Sequence, residues 1–310
     1  MRVLLIYRAP EYSPNNVVND AAILDAVGEV LANAGSEQAW SIERCAETDL
    51  LECALDLEAY DFILHMARRL STLMRLEPLR HPVVINAARG VRNVAKSREL
   101  TLMLLQAAGI AVPDWWAYDP EEDEMFLCEP HLQHLLPGWV KAMRTDGARP
   151  EDVTMAQTPM EADTRILDLA AQQVPDIVVT RHLEGDLIKC YCVVDLSNRP
   201  LASGEDKAGG TVRKSPFLRW FYPQESNYSK FGNAEQHNTP LARIPFAESE
   251  LQQLAISIAQ ALDLQVFGFD AIVQASSDPL ISVIDVNDWP TFGRCRAEAA
   301  RAIAQLVIEI

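Results

Sequence analysis

The segment from Gly268 to Phe292 constrains the fold more than any other part of the chain. Two apolar stretches, Ala271-Ile-Val273 and Leu280-Ile-Ser-Val-Ile284, flank Ser276-Ser-Asp-Pro279, a cluster of turn formers. This pattern predicts a β-hairpin. With the turn centred on Ser277-Asp278, Asp270 and Asp285 are equidistant from the centre and face each other. Side chains alternate along a strand, so Asn287 shares the face of Asp285. Three oxygen donors then converge, a set suited to a hard cation such as Mg2+ rather than zinc. A slip of one residue would undo the convergence. For any one of the three residues, a solvated or capping role beside a turn is an equal alternative; their joint arrangement favours a site.

The 310 residues, 49% of them hydrophobic, allow two domains or one large one with a substantial core. A net charge of −17 argues against nucleic-acid binding, which wants a basic face. Cys45, Cys53, Cys128, Cys190, Cys192 and Cys295 form no CxxC pair and have no His at zinc spacing, which implies reduced, non-ligand thiols. The opening Met1-Arg-Val-Leu-Leu-Ile-Tyr7 reads as a buried strand, too short for a signal segment. No apolar run approaches the ~20 residues of a membrane span. The expectation is a cytoplasmic protein.

Strand-like Val3–Tyr7, Asp61–Met66 and His81–Asn86 alternate with helical patterns over Val18–Ala34 and up to about Leu79, which implies a small parallel α/β domain over residues 1–90. Ligands of such sheets gather at the carboxyl ends of the strands, here the loop from Arg8 to Asn16, the turn Met66–Arg69, and Asn86. Helical periodicity from Lys96 to Gln106 ends at Gly109. Strands follow over Pro137–Met143, Asp176–Thr180 and Leu187–Val194, with Asn198-Arg199 as a turn. Helices are expected around Ala162–Ala170, Leu251–Leu262 and Arg296–Ile310.

No GxGxxG follows the first strand, and neither GxxxxGK[ST] nor G-x-S-x-G occurs. That excludes the usual dinucleotide, P-loop and serine-hydrolase readings. What remains is the oxygen-donor set and two lysines on strands, Lys141 and Lys189. A lysine inside an apolar strand either snorkels from an edge or reaches an anion.

The order of Val84-Ile-Asn86, Gly109-Ile-Ala-Val-Pro113, Trp139-Val-Lys141, Val178-Val-Thr-Arg-His-Leu-Glu-Gly-Asp186, Gly268-Phe-Asp270 and Ile284-Asp-Val-Asn287 resembles the ATP-grasp superfamily. Within it, the carboxylate–amine ligases related to the ribosomal-protein glutamate ligases are the most similar. The resemblance covers roughly Val84 to Phe292. It implies an α/β pre-domain (1–90) and an ATP-grasp domain (91–310) of two α+β subdomains, a small lid subdomain (91–175) and a C-terminal catalytic subdomain (176–310).

The resemblance also implies roles. Lys141 would contact the ATP phosphates, the backbone of Thr180, Arg181, His182 and Leu183 the adenine, and Asp186 the ribose. Asp270, Asp285 and Asn287 would bind Mg2+, as two ions, with Mn2+ as a substitute. Lys189 and Arg213 would stabilise the reacting acyl phosphate. Ser13, Asn15, Asn16, Arg68 and Arg69 would take a carboxylate or amino-acid substrate, or form an ordinary polar loop. Three departures stand out. The first ATP lysine falls on Arg98, with Lys96 two residues earlier, and Asp285 replaces the more usual Glu. The lid segment Arg144–Pro150 has one glycine, and Ala208-Gly-Gly-Thr-Val-Arg-Lys214 is either a partial replacement or a plain turn. The implied activity is ATP- and Mg-dependent ligation of a small-molecule or peptide carboxylate to an amine. A small-molecule kinase acting on a hydroxyl and a non-catalytic nucleotide-binding protein are the alternatives. Trp115-Trp116 and Trp220-Phe-Tyr222 are candidates for a homo-oligomer interface or for core packing.

Overall fold

The computed structural model describes residues 1–12, 17–34, 39–50, 52–53, 55–119, 130–144, 149–197, 215–223, 241–275 and 280–310. Strands β1 (Arg2–Tyr7), β2 (Ser41–Ala46), β3 (Phe62–His65) and β4 (Val83–Ile85) alternate with helices α1 (Val17–Ala32), α2 (Glu47–Leu50) and α3 (Leu70–Leu76). They form a parallel sheet of order β2-β1-β3-β4. The sheet has four strands where the sequence pattern indicated three. The added β2 is an edge strand in which only Cys45 is buried, so it lacks the apolar run that marks β1 and β3.

The helix expected over Lys96–Gln106 is α5 (Arg98–Ala107), and a further helix, α4 (Ala88–Lys96), precedes it. Ser97 separates them in extended conformation, and its hydroxyl accepts from the Leu100 N–H as the N-cap of α5. This break places Arg98 at the first position of α5.

The middle of the chain forms β5 (Trp115–Ala117), β6 (Gly138–Met143), β7 (Val153–Ala156), α6 (Pro159–Ala171) and β8 (Asp176–Arg181). The strands make an antiparallel sheet of order β5-β8-β6-β7. This sheet runs through Arg181 rather than stopping at the boundary of 175 drawn from the sequence, because β8 pairs with both β5 and β6. Its core is its own: Val140, Ala142, Ile177 and Val179 pack on Ala162, Ile166 and Leu169 of α6.

The last unit contains β9 (Asp186–Val193), β10 (Phe217–Phe221), α7 (Glu248–Leu262), β11 (Val266–Val273), β12 (Ile281–Asp288) and α8 (Arg296–Glu309). Its antiparallel sheet has the order β10-β9-β11-β12, which leaves β12 at an edge. Gly185 leads into β9 at φ +152°, and a Cβ there would lie 2.2 Å from the Val273 carbonyl, so only glycine fits. Cys190 and Cys192 both point into the buried face, as period-2 alternation requires, and are free thiols, as are Cys45, Cys53 and Cys295. Trp220 packs edge-on against Tyr222 and Phe246, next to the core. Among the described residues, no helix is long and apolar enough to cross a membrane.

The first and last units share their cores. Ile23, Leu24 and Val27 of α1 pack with Ile303, Ala304 and Val307 of α8 around Trp289 and Phe292. Asn86, at the end of β4, joins them by polar contacts. Its side-chain Nδ2 donates to the Val266 carbonyl at 2.6 Å, and its Oδ1 accepts from Gln265 N–H at 2.8 Å and Val266 N–H at 2.7 Å. Its own carbonyl accepts from His65 Nε2 at 2.7 Å, and burial pushes that imidazole down to about 4. Asn86→Ala leaves the Gln265 and Val266 N–H groups without their acceptor and places Ala at φ 61°, while the Val266 carbonyl keeps the Trp289 N–H. A loss of about 3 kcal/mol in urea-unfolding free energy is expected; a loss below about 1 kcal/mol contradicts the staple.

Candidate active site

Two strand registers assemble the site. Asp270 is opposite Asp285 between β11 and β12, and opposite Lys189 between β11 and β9. The three side chains therefore stand in a row across adjacent strands. The hairpin register inferred from the sequence holds from Gly268↔Asn287 to Asp270↔Asp285. Beyond Asp270 it shifts by one residue, to Ala271↔Val283, and Ile284 is the residue left over in the bulge. The bulge confines the slip to the turn half and leaves the carboxylate half in place. Residues 276–279, at the turn itself, lie outside the described residues. Gly268, opposite Asn287, has Pro290 packed over it, with only 3.2 Å between a Cβ there and the proline Cγ.

The contacts around this row are dense. Lys189 Nζ bonds Asp270 Oδ2, and Asn287 Nδ2 donates to Asp285 Oδ2 at 2.9 Å. Arg98 NH1 donates to Asp285 Oδ1 at 3.1 Å, and Arg98 Nε donates to the Ala142 carbonyl, so this side chain bridges β12 and β6. Lys141, 8% exposed, donates from Nζ to the bulge carbonyl of Ile284 at 3.0 Å. Three cations thus surround two carboxylates. Burial alone would raise Asp285, but Arg98 and then Lys141 hold it below the ordinary carboxylate value. Burial works against the Lys189 ammonium, and Asp270 more than offsets it, raising Lys189.

Lys141, Arg98, Thr180 and Asp285 line a cleft between the middle and C-terminal sheets. Thr180 is 1% exposed, and its Oγ1 is among the described buried polar atoms without a hydrogen-bond partner. Arg98 also lines a second hollow, with Tyr12, Arg68, Arg144 and Asp152. In the segment after β8, the Arg181 N–H donates to the Asp114 carbonyl and the His182 N–H to the Pro137 carbonyl. Trp139 Nε1 donates to His182 Nδ1 at 3.1 Å, which fixes that ring as the neutral Nε2–H tautomer. The Arg181 guanidinium pairs with Asp114 at the surface.

Other residues singled out in the sequence go elsewhere. Asp186 is buried, and its two oxygens accept from the Ala242 and Ile244 N–H groups at 2.8 and 2.7 Å. Its carboxylate pins the chain before α7. Arg69 pairs with Glu11 at the surface, away from the row of carboxylates. Arg68 reaches Asp288 and also lines the hollow shared with Arg98. Ser13, Asn15, Asn16, Arg213 and both candidate lid segments' glycines lie outside the described residues.

Sequence reasoning passed over Asp288, Arg8 and Glu47. Asp288 follows Asn287 but projects from the opposite face of β12, where Arg8 and Arg68 hold it. These two outweigh the effect of burial, keeping Asp288 below its ordinary value. Glu47 is fully buried and accepts from the Ala9, Arg68 and Arg69 N–H groups, which shapes the loops after β1 and β3. The signal available was the carboxylate at the start of α2, beside two loops rich in backbone donors.

No protein-family model and no curated protein matches the sequence. Solved structures do match over the whole chain. A D-alanine–D-alanine ligase from Bacillus anthracis complexed with ATP has a TM-score of 0.61 at 16% identity, covering 100% of this chain and 96% of that one. The D-alanine–D-alanine ligase from Coxiella burnetii has a TM-score of 0.65 at 14% identity, covering 99% and 93%. A RimK-domain ATP-grasp protein from Sphaerobacter thermophilus has a TM-score of 0.60 at 14% identity, covering 99% and 100%. At these identities the likeness is one of fold: a parallel pre-domain sheet followed by α+β ATP-grasp subdomains.

The cleft's charge depends on Lys141, whose ammonium burial and Arg98 push down to about 8. As pH rises through that value the proton is lost and with it a cation of the cleft. Binding of inorganic tripolyphosphate, followed by calorimetry, should weaken as pH rises from about 7 to about 9.5, and Lys141→Met should remove most of that dependence. Equal affinity across the range in the wild type contradicts the assignment.

Proposed function

We propose that this chain is an ATP-dependent ligase joining a carboxylate to an amine through an acyl phosphate. The observation that carries the reading is the row Lys189–Asp270–Asp285, facing Lys141 and Arg98 across a cleft between two antiparallel sheets of ATP-grasp fold. Lys141 and Arg98 would neutralise the ATP phosphates, and Lys189, aimed by Asp270, would meet the transferred phosphoryl group. With the Arg181 and His182 N–H groups committed inside the chain, the adenine edge falls to the Arg181 carbonyl and the Leu183 N–H.

The donor set fits Mg2+. Asp270, Asp285 and Asn287 offer only oxygen, and both carboxylates already stand beside positive charge. Among the described residues, no three His, Cys, Asp or Glu side chains cluster as a metal site, so phosphate oxygens and water would complete the coordination. Bound there, the metal would supply charge neutralisation of the phosphates and alignment for in-line transfer.

In the reaction, a substrate carboxylate oxygen attacks the γ-phosphorus and the bond to the β-phosphate oxygen breaks, releasing ADP. The amine nitrogen then attacks the acyl carbon, the carbon–oxygen bond to phosphate breaks, and the nitrogen loses a proton. Lys189 offsets charge on the acyl phosphate and on the tetrahedral species. Holding both substrates in one cleft supplies proximity.

Purified protein with ATP, Mg2+ and pooled carboxylates and amines should release ADP and phosphate and form an amide. Lys189→Met should lower kcat by about 100-fold. Asp285→Ala should abolish turnover with the fold intact by circular dichroism. A phosphorylated hydroxyl product without free phosphate points to the kinase, and nucleotide binding without turnover to a silent binder. Either result overturns the ligase reading.

A further inference from the structure

The carboxyl edge of the first sheet, where an open α/β sheet takes its ligands, is occupied by a side chain of the protein itself. Arg8 follows β1 and Arg68 follows β3. Arg68 NH2 donates to Asp288 Oδ1 at 2.5 Å, and Arg8 NH2 to Asp288 Oδ2 at 3.3 Å. Arg8 NH2 also donates to the carbonyls of Asp288 and Trp289, and its NH1 pairs with Asp20 at 3.1 Å. The Asp288 side chain is wholly buried, and those of Arg8 and Asp20 are nearly so.

β12 is an edge strand whose one strand neighbour is β11; outside the sheet its Val283 N–H donates to the Ala111 carbonyl on the turn side of the bulge at Ile284, which interrupts the ladder. Asp285 and Asn287 stand between that bulge and the strand's end. Up to the bulge the strand has contacts outside its own sheet, at Val283 and Ile284; past it, the backbone that carries Asp285 and Asn287 pairs with β11. The arginines give its end a second anchor, outside its own sheet and on the opposite face from the donors. A buried ion cluster adds little net stability over apolar packing, but it fixes position.

We propose that Asp288 is a positioning residue: clamped by Arg8 and Arg68, it holds Asp285 and Asn287 at the geometry that binds the metal–nucleotide complex. The inference rests on the ligase reading of the same cleft. Arg68 also lines the hollow shared with Arg98, so the clamp borders the space next to the carboxylate row.

The test uses the full chain and calorimetric binding of a non-hydrolysable ATP analogue across a range of Mg2+ concentrations. Asp288→Asn should raise the Mg2+ concentration for half-maximal binding by about 10-fold, in the range found when groups orienting metal ligands are removed. Affinity without metal should stay within about twofold, since the lysines of the cleft are untouched. Asp20→Asn removes the other carboxylate on Arg8; it should lower the melting temperature and leave the Mg2+ dependence unchanged. If Asp288→Asn does not fold, Arg68→Lys keeps the charge but loses the guanidinium fork, and should shift the Mg2+ dependence in the same direction. Wild-type Mg2+ dependence in both Asp288→Asn and Arg68→Lys, or an equal shift in Asp20→Asn, overturns the positioning role alone. A wild type that binds no analogue at any Mg2+ concentration overturns the ligase reading and the inference with it.

Discussion

The register of β11 against its two neighbours is the constraint on which the site depends. It sets Lys189, Asp270 and Asp285 side by side on adjacent strands. Two carboxylates directly opposed in an antiparallel pair repel each other. Here each is answered by a cation from a different element, Lys189 from β9 and Arg98 from the start of α5. The bulge at Ile284 protects this alignment, because it takes up the one-residue mismatch on the turn side. It also exposes a backbone carbonyl that becomes the partner of Lys141. One irregularity thus serves both the donor row and the facing lysine.

The first domain acts on the site from behind. Asn86 saturates three backbone groups at the entry to β11, and Arg8 and Arg68 seize the exit of β12. The hairpin that carries the carboxylates is therefore gripped at its open end, through both strands, by the same parallel sheet. The shared apolar core around α1 and α8 supplies the burial that keeps these polar contacts dry. The middle sheet, with a core of its own, contributes Lys141 and Thr180 from the other side of the cleft.

Much of this was legible in the chain. The turn cluster at 276–279 and strict alternation around it were enough to oppose Asp270 and Asp285, and Lys141 stood out as a charge within an apolar strand. Four of the edge strands were not legible: β2, β5, β7 and β10 are short and bury at most one residue each. Helix α4 was not read from the sequence, and Ser97, whose hydroxyl caps α5, was the available clue to the break between the two helices. Asp288 was invisible for another reason. Its partner Arg68 lies 220 residues away in sequence, and a surface carboxylate and a buried clamp look alike until the two sheets are stacked. The partners of Asp186 were hidden too, because its motif position says nothing of which backbone amides the chain returns to it.

The central claim is that the face carrying Asp270, Asp285 and Asn287 receives nucleotide phosphates and metal together. A crystal structure of the protein with Mg2+ and a non-hydrolysable ATP analogue tests it most directly. The account predicts metal on those three side chains, phosphates within hydrogen-bond reach of Lys141 and Lys189, and Arg98 turned from Asp285 towards phosphate. Nucleotide bound elsewhere, or metal held by other residues with the Arg98–Asp285 pair intact, would contradict it.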